Sequence, residues 1–195
     1  MTELMRRRRA LMAVGGGSSP IIPSDYQQVA WIGFGEGQTG VGVNTGITCN
    51  NSYRVVAKIT KLSNSDMVFP NAYSGTIGAT QWGTVSNISG SKWTCAPSYA
   101  ANDLFESTEI TATKTTATGS ATIFLGYDGQ SKYVPESRYE TYKIYDANDV
   151  LLFDGVPIRR KTDNKPGFYD LVSQVARLNI VKNTSIQPML YGADV

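Results

Sequence analysis

The stretch Lys143-Ile-Tyr-Asp-Ala-Asn-Asp-Val-Leu-Leu-Phe-Asp-Gly-Val-Pro-Ile-Arg-Arg160, with Pro166-Gly-Phe-Tyr-Asp-Leu-Val172 after it, carries the strongest signal of fold class in this chain. Two short apolar segments flank the polar residues Ala147-Asn-Asp149, which is the pattern of two β-strands joined by a turn. A proline-containing segment and a compact group of aromatic residues follow. None of these residues has the arrangement of a reaction centre, so the stretch predicts a β-sheet scaffold.

Similar strand signals recur from residue 25 onward. The clearest is Tyr53–Thr60, where apolar side chains occupy every second position and therefore share one face of a strand. The other predicted strands are Tyr26–Ile32, Met67–Tyr73, Thr76–Trp82, Lys92–Cys95, Leu104–Thr116, Ala121–Tyr127, Arg138–Tyr145 and Val150–Phe153. Many short strands separated by turn residues predict an all-β sandwich or barrel.

Two further segments give less regular signals. Six glycines lie within Gly33–Gly46, and this density predicts tight turns or a bulged edge. In Leu171–Leu178, Leu171, Val175 and Leu178 share one helical face, so a short helix is predicted there, although a strand fits nearly as well.

The composition fits a β-domain with a weakly charged surface. Hydrophobic residues make up 41% of the chain and charged residues only 17%, so neutral polar residues must cover much of the surface. The absence of histidine excludes Ser–His and Cys–His catalysis and zinc sites that need histidine. Two cysteines, Cys49 and Cys95, allow one disulfide but no four-cysteine zinc site, and we expect them to be free thiols.

Positive charge is concentrated at the start of the chain. The formal net charge of the chain is +2. The first ten residues, with four arginines and one glutamate, carry +3, and the remaining residues carry −1. The remaining 185 residues hold 14 basic and 15 acidic groups and are nearly neutral. Such a body disfavours nucleic acid as a partner, because non-specific binding needs many Lys and Arg contacts to phosphate.

Residues 1–24 are predicted to form an N-terminal arm, and residues 25–195 one β-sandwich domain. Gly15-Gly-Gly-Ser-Ser-Pro20 is a flexible hinge, and the residues before it fit a short helix that is marginal alone in water. Blocks of charge are usually solvated, but the apolar residues beside this one favour docking to a partner protein. The predicted docking residues are Leu4, Met5, Arg6, Arg7, Arg8, Arg9, Leu11 and Met12.

The arginine run does not predict export or membrane insertion. The apolar run after it is five residues long, whereas the hydrophobic core of a signal peptide needs roughly 7–15. No run approaches the roughly 20 apolar residues of a membrane-spanning helix. We therefore expect assembly in a reducing cytoplasm.

Both ends of the predicted body carry recognisable segments. At the start these are Tyr26-Gln-Gln-Val-Ala-Trp-Ile32, Gly37-Gln38 and Asn44-Thr-Gly-Ile47; at the end they are Val150-Leu-Leu-Phe-Asp154, Val156-Pro-Ile-Arg-Arg-Lys161, Gly167-Phe-Tyr-Asp170 and Gly192-Ala-Asp-Val195. Together they resemble phage and prophage structural proteins with a concanavalin A-like (LamG-like) domain. The resemblance implies a jelly-roll sandwich that is displayed on a virion or contacts cells, and it implies no catalysis.

The motif shared with that family predicts structural roles for Pro157, Arg159, Arg160, Gly167, Tyr169 and Asp170. The proline suits a sheet edge or the entry to a strand. The two arginines should point to opposite faces, so that one pairs inward with a carboxylate such as Asp170. The glycine allows a positive φ at a turn, and the tyrosine can fill the edge of the sandwich.

Tryptophans are the candidate ligand-binding residues of the body. Trp31, Trp82 and Trp93 are all able to stack on sugar rings, although most tryptophans in a β-sandwich pack in the core or at its rim. Trp82 and Trp93 lie among small polar residues and are the predicted exposed pair. A glycan site would also need converging polar groups.

Three other patterns carry little chemistry. Asp103, Glu106 and Glu109 do not have the alternating acid spacing of glycosidases on this fold. Residues 146–149 hold three oxygen-bearing side chains, but such residues commonly make a turn, and calcium-loop spacing is absent. Residues 33–40 lack the lysine and hydroxyl residue that end a phosphate-binding loop. We therefore predict neither a metal nor a cofactor.

The sequence predicts a non-enzymatic virion structural protein, of the capsid decoration, head fibre or tail adaptor type. Its expected partners are other capsid or tail proteins, contacted in a symmetric multi-copy assembly. The alternative is a carbohydrate-binding module for glycans on the host surface. These two functions are compatible, because a displayed sandwich can also bind sugar.

Overall fold

The computed structural model of the chain describes residues 21–35, 41–49, 53–63, 68–73, 80–84, 93–97, 103–114, 121–126, 136–181 and 189–195. Within these ranges the regular structure is entirely β. The strands are β1 (Tyr26–Gln28), β2 (Ile32–Phe34), β3 (Val41–Cys49), β4 (Tyr53–Lys61), β5 (Val68–Tyr73), β6 (Thr80–Thr84), β7 (Trp93–Ala96), β8 (Phe105–Lys114), β9 (Ala121–Gly126), β10 (Ser137–Tyr145), β11 (Leu151–Arg160), β12 (Pro166–Asp170), β13 (Val175–Val181) and β14 (Leu190–Tyr191). The prediction of an all-β fold is confirmed.

The described strands form one connected antiparallel network. Its main path runs β6-β5-β9-β3-β13-β12-β11-β10-β4-β8-β7. Strand β13 is the joint of this path, because residues 175–178 pair with β12 and residues 179–181 pair with β3. The two ends of the path also approach each other, since Cα atoms of β6 and β7 lie within 8 Å. The sheet therefore curls back on itself instead of remaining open.

Aromatic rings from four strands form the centre of the core. Phe34, Tyr139, Tyr142, Phe153 and Phe168 are all fully buried. The ring of Tyr142 stacks on that of Phe168 at 5.7 Å between centroids, and Phe153 meets both edge-on at 6.2 Å. Burial raises the pKa of Tyr139, so its phenol stays protonated. These contacts bind β2, β10, β11 and β12 together.

The best sequence prediction of a strand is confirmed in β4. Tyr53, Val55, Ala57 and Ile59 are buried, while the residues between them are only half-buried. Strand β4 lies between β10 and β8, so its apolar residues cover the middle of the core. Period-two alternation was a dependable signal here because only one face of the strand is buried.

The predictions for the two irregular segments have different outcomes. Residues 171–178 form a turn followed by β13 instead of a helix, because the backbone of residues 175–178 completes the ladder with β12. In the segment 33–46, the predicted turns give way to β3 from Val41 onward, but the alternative of a bulge agrees with the register shift between Asn44 and Thr48 and with the φ of +75° at Gly46. Residues 36–40 lie outside the described residues. Val41, Val43 and Thr45 are buried at alternate positions, so the glycines of this strand lie between the core residues.

Pro157 lies in the middle of β11, and the prediction of an edge or strand entry is wrong. Its carbonyl accepts a hydrogen bond from the Val29 amide at 3.0 Å. In a strand, the carbonyl and nitrogen of one residue point to the same neighbour, so the nitrogen that lacks a hydrogen also faces the β1 side. The ladder between β11 and β12 therefore loses no donor.

Gly167 is required for close strand approach, not for a positive φ. It lies within β12 opposite Leu178, and the only described glycine with positive φ is Gly46. A Cβ at Gly167 would lie 2.2 Å from the Arg177 carbonyl oxygen and 2.7 Å from the Leu178 Cα. Both obstacles are backbone atoms of β13, so they cannot move without breaking the ladder.

We predict that Gly167→Ala lowers the free energy of unfolding by at least about 1–3 kcal/mol, the usual cost of overpacking. Urea unfolding followed by tryptophan fluorescence measures the change. Gly192→Ala is the matched control and should cost less, because the three atoms nearest to its new Cβ all belong to the Trp31 side chain and none to the backbone. Equal midpoints for Gly167→Ala and the unmodified protein would contradict the close approach of β12 and β13.

Candidate functional site

The C-terminal corner is the best-defined feature beyond the core, and it consists of β1, β2, β14 and residues 192–195. Strand β14 pairs with β2, and the residues after it follow the bend between β1 and β2. Backbone hydrogen bonds join Gly192 N to Trp31 O, Ala30 N to Ala193 O, and Val195 N to Gln28 O, at 2.9, 2.9 and 3.1 Å. The end of the described chain therefore completes the sheet beside its beginning.

Arg159 fixes this corner through its side chain. Its Nε and one Nη donate to the two carboxylate oxygens of Asp194 at 3.0 and 2.8 Å, and its other Nη donates to Asn164 Oδ1 at 2.8 Å. The paired, parallel hydrogen bonds to a carboxylate give a defined orientation as well as attraction. The hydrogen bond from Arg159 holds the pKa of Asp194 below its ordinary value, so the pair persists through the neutral range and weakens only as the carboxyl is protonated in acid.

Arg160 pairs with Asp163 in the exposed turn that follows β11. This hydrogen bond lowers the pKa of Asp163 to about 2. The two arginines thus have separate carboxylate partners, and the prediction that one of them pairs inward with Asp170 is wrong. The reason is that backbone and hydroxyl donors already surround the Asp170 carboxylate.

Asp170 caps the turn between β12 and β13. It is 1% exposed, and its carboxylate accepts hydrogen bonds from the amides of Asp154, Val172 and Ser173 at 3.0–3.2 Å and from the Ser173 hydroxyl. A buried carboxylate needs such partners to offset its lost hydration. Tyr169, the residue before it, is also buried within β12. These motif residues therefore organise the scaffold.

Asp154, in the first half of β11, is a partly buried carboxylate whose pKa is raised. Burial raises the pKa of Asp154, the nearby Asp170 charge adds to the effect, and Lys143 Nζ, 3.6 Å away, opposes it. A group whose pKa is raised in the folded state favours folding more as it becomes protonated. The contribution of Asp154 to stability therefore grows as the pH falls toward 3.8, the ordinary pKa of this group, and is lost as the pH rises.

The outer face of the sheet, on β4, β8 and β10, carries a polar network. Glu140 accepts hydrogen bonds from Lys58 Nζ at 2.8 Å and from the Ser107 hydroxyl at 2.7 Å. Partial burial acts to raise the pKa of Glu140, but these two hydrogen bonds and the Lys58 charge outweigh it, and the pKa is lowered. Ser107 has a φ of +46° at an irregularity in β8, and its amide donates to the Thr60 hydroxyl at 2.9 Å.

The three carboxylates considered for glycoside chemistry are solvent-exposed. Glu106 and Glu109 lie on β8, on either side of this irregularity, and Asp103 precedes the strand. Asp103 contributes its backbone carbonyl to the Lys61 ammonium group at 2.9 Å. An exposed sheet face does not provide the enclosed environment that raises the pKa of a catalytic acid.

The turn between β10 and β11 is confirmed as a turn. One Asp146 oxygen accepts hydrogen bonds from the amides of Asn148 and Val150 at 2.8 and 2.9 Å, and Asp149 has a φ of +59°. The Asp149 carboxylate pairs with Arg54 at 2.8 Å. One carboxylate oxygen of Asp146 and one of Asp149 are thus used by the protein itself. Within the described ranges, no group of three or more Cys, Asp or Glu residues is placed to hold a metal ion.

The tryptophans lie in three different strands or bends. Trp31 is half-buried in the C-terminal corner, where the Arg138 guanidinium lies 4.7 Å from its ring centre and Gly192 packs against the indole. Trp82 lies in β6 opposite Asn71, and Trp93 lies in β7 opposite Lys114. Strands β6 and β7 are the neighbouring ends of the sheet path, so the two candidate sugar-stacking residues lie on adjacent strands.

Several predictions concern residues about which the structure gives less. The docking residues Leu4 to Met12 lie outside the described residues, as does the glycine hinge. Cys49 lies in β3 opposite Ala121 and Cys95 in β7 opposite Ala112, and their redox state stays a prediction. The part of the chain that the structure describes holds no helix of the length and apolarity that crossing a bilayer requires.

No protein-family model matches this chain, and searches of curated proteins and of solved structures found no significant similarity. The resemblance to phage structural proteins therefore remains an expectation from the quoted motifs. The fold and the contacts of the motif residues have to carry the functional argument.

Sequence reasoning missed the partners that organise these surfaces. Asp194 was visible only as part of a terminal motif, 35 positions from Arg159, and no local spacing links the two. The network of Lys58, Ser107 and Glu140 is equally non-local, because it joins three strands. Charged residues at outward positions of adjacent strands could have indicated this network. That signal can be used only when the order of the strands in the sheet is known.

We predict that Asp194→Asn loosens the C-terminal corner without unfolding the core. Losing the paired hydrogen bonds to Arg159 should speed hydrogen exchange at the amides of Ala30, Gly192 and Val195 by several-fold, while core amides remain protected. Exchange measured residue by residue with NMR tests this. Asp163→Asn is the matched control, because it removes an arginine-paired carboxylate from the nearby turn. Equal effects of the two variants at the corner amides would contradict a specific role for Asp194.

Proposed function

We propose that this protein is a bacteriophage virion structural protein, with a concanavalin A-like jelly-roll body that docks to the particle through its N-terminal arm. The observation that supports this best is the division of charge and chemistry along the chain. The first ten residues carry a net +3 together with leucine and methionine, whereas the other 185 residues are nearly neutral. Such an arm can bind an acidic, partly apolar surface while the body remains outside it.

The contacts of the motif residues are consistent with a display role. Asp170 caps a turn, Gly167 allows close strand approach, and Arg159 closes the C-terminal corner. Each of these residues acts on the scaffold, and the side-chain contacts described for them are within the chain. The body therefore supplies a fixed shape, and the proposed attachment falls to residues 4–12.

The expected attachment mechanism is multivalent. Single arginine–carboxylate pairs at a surface contribute only about 0–1 kcal/mol each, and a short apolar face adds a limited area. In a symmetric particle each arm binds an equivalent site, and neighbouring copies raise one another's effective concentration. Stable incorporation can therefore arise from individually weak arms. A capsid decoration protein, a head fibre and a tail adaptor would each attach through the same arm.

We predict that replacing Arg6, Arg7, Arg8 and Arg9 with glutamine lowers incorporation into particles by tenfold or more, because the arm loses its charge while keeping its length. Quantitative mass spectrometry of purified particles measures the copy number. Lys161→Gln with Lys165→Gln is the control for loss of basic charge in the body and should incorporate normally. Unchanged incorporation of the arm variant would count against arm-mediated docking.

The alternative function is a carbohydrate-binding module for host-surface glycans, and one observation favours it. The strands that carry Trp82 and Trp93 lie next to each other at the closed end of the sheet path. The backbones of the two residues therefore belong to neighbouring strands, which a sugar site shared by both tryptophans requires. This alternative requires converging polar groups beside them as well.

We predict that, if this alternative applies, the protein binds a defined set of glycans on an array and that Trp82→Ala or Trp93→Ala lowers that binding at least tenfold. Trp31→Ala is the matched control, because Trp31 packs in the C-terminal corner, away from β6 and β7 in the strand order. A folded protein that binds no glycan on the array would remove the alternative and leave the structural role standing.

A further inference from the structure

A pair of exposed leucines lies on the outer face of the sheet, at one end of β4 and β8. Lys61 and Phe105 are the last paired residues of these two strands. Leu62 follows Lys61 at the end of β4, and Leu104 precedes Phe105 at the start of β8. The paired register ends at Lys61 and Phe105, and its continuation by one residue would bring Leu62 and Leu104 opposite each other. The exposed fractions of Leu62 and Leu104 are 37% and 56%. Because the Leu62 amide donates to the Glu136 carbonyl at 2.8 Å, the backbone here is held in place.

Carboxylates continue the same outer face beyond the leucines. Glu106 follows Leu104 by two positions, and Glu109 lies further along β8, opposite Lys58. Both glutamates are exposed, and within the described part of the chain neither makes an ion pair. We call the surface of Leu62, Leu104, Glu106 and Glu109 the acidic leucine face.

The described cations beside this face are engaged within the chain. Lys61, next to Leu62, is buried, and its ammonium group donates to the Asp103 carbonyl at 2.9 Å. Lys58 Nζ lies 2.8 Å from a Glu140 oxygen. Arg138, which pairs with Thr60 in the ladder, directs its guanidinium to the Trp31 ring at 4.7 Å. The face therefore offers unpaired negative charge beside exposed apolar side chains, and this combination suits a segment that is both cationic and apolar.

We propose that the acidic leucine face binds residues 4–12 of the N-terminal arm of a second copy of this chain. This inference rests on the proposed function and identifies one partner of the arm within the multi-copy assembly. Arg6, Arg7, Arg8 and Arg9 supply charges of the required sign, and Leu4 and Leu11 supply apolar side chains on either side of them. The leucines of the face are exposed in the single chain, and the net +3 charge of the first ten residues is complementary to the two glutamates beside them.

The proposed contact has physical properties that a test can use. Exposed arginine–glutamate pairs are individually weak and are screened by salt, so association should fall as ionic strength rises. Removing the two glutamate charges should weaken association about tenfold, from the usual strength of two such pairs. Exchanging the charges, with arginines on the face and glutamates on the arm, should restore association. A variant that failed only because its fold was less stable would not be restored in this way.

Sedimentation velocity of the full chain over a range of protein and salt concentrations tests the proposal. We expect association that salt weakens, that Glu106→Gln with Glu109→Gln weakens about tenfold, and that Glu106→Arg with Glu109→Arg abolishes. Adding Arg7→Glu and Arg8→Glu to the last variant should restore association. Ala147→Lys with Thr162→Lys is the control, because it makes the same charge change as the glutamine pair at two exposed turn residues. Circular dichroism checks that each variant is folded.

A photo-crosslinking experiment identifies which copy supplies the arm. Benzoylphenylalanine at position 104, in a mixture of isotopically light and heavy chains, should form crosslinks to Met5 or Met12 between a light and a heavy chain. Crosslinks only within one chain, a monomer at every concentration, or association that ignores the glutamate changes would each overturn the proposal. Patch variants that enter particles normally, when the arm variant does not, would leave the proposed function standing and remove this inference alone.

Discussion

The architecture depends on the shared use of one strand. Strand β13 pairs with β12 through its first residues and with β3 through its last, so a single extended segment joins the two parts of the sheet. This requires that β12 and β13 lie unusually close at Gly167, where any Cβ would meet backbone. It also requires a fixed turn before β13, which the buried Asp170 carboxylate supplies. The aromatic core then packs beneath β12, with Phe168 placed between Tyr142 and Phe153.

Charged groups divide into two kinds according to their surroundings. Asp170 and Asp154 are buried or half-buried in the scaffold, where amide donors or a lysine offset their lost hydration. The outer face of β4, β8 and β10 holds charges in water, where each pair contributes little to stability. The carboxylates that stabilise the scaffold therefore differ from those of the proposed docking face, so the outer glutamates can be altered while the core is left intact.

The sequence was informative where a pattern is local and less so where it is not. Alternation identified β4 and β10, and the Asp146 turn followed from its residue types, because a half-buried strand and a tight turn each have local chemical signatures. Residues 171–178 satisfied a helical pattern equally well, and only the need of β12 for a partner selects the strand. An edge position was predicted for Pro157 because proline cannot donate a hydrogen bond to a ladder. That rule applies to a central strand with a complete ladder on each side, and the bend at β1 relaxes it on one side of β11. The pairing of Arg159 with Asp194 was beyond prediction because the two residues lie 35 positions apart in the chain.

The closing of the chain at the C-terminal corner has a practical consequence for any protein attached to it. Val195 hydrogen-bonds to Gln28, close to where the arm leaves the body, so a tag or cargo fused after residue 195 would emerge on the side that the arm is expected to hold. Strand β1 pairs with the last residues of β11, whereas the hairpin that joins β10 to β11 lies at the other end of these strands. Residues 147–149 of this hairpin are exposed. An epitope inserted there would face away from the side of the proposed attachment, which makes this turn the better position for presenting foreign peptides.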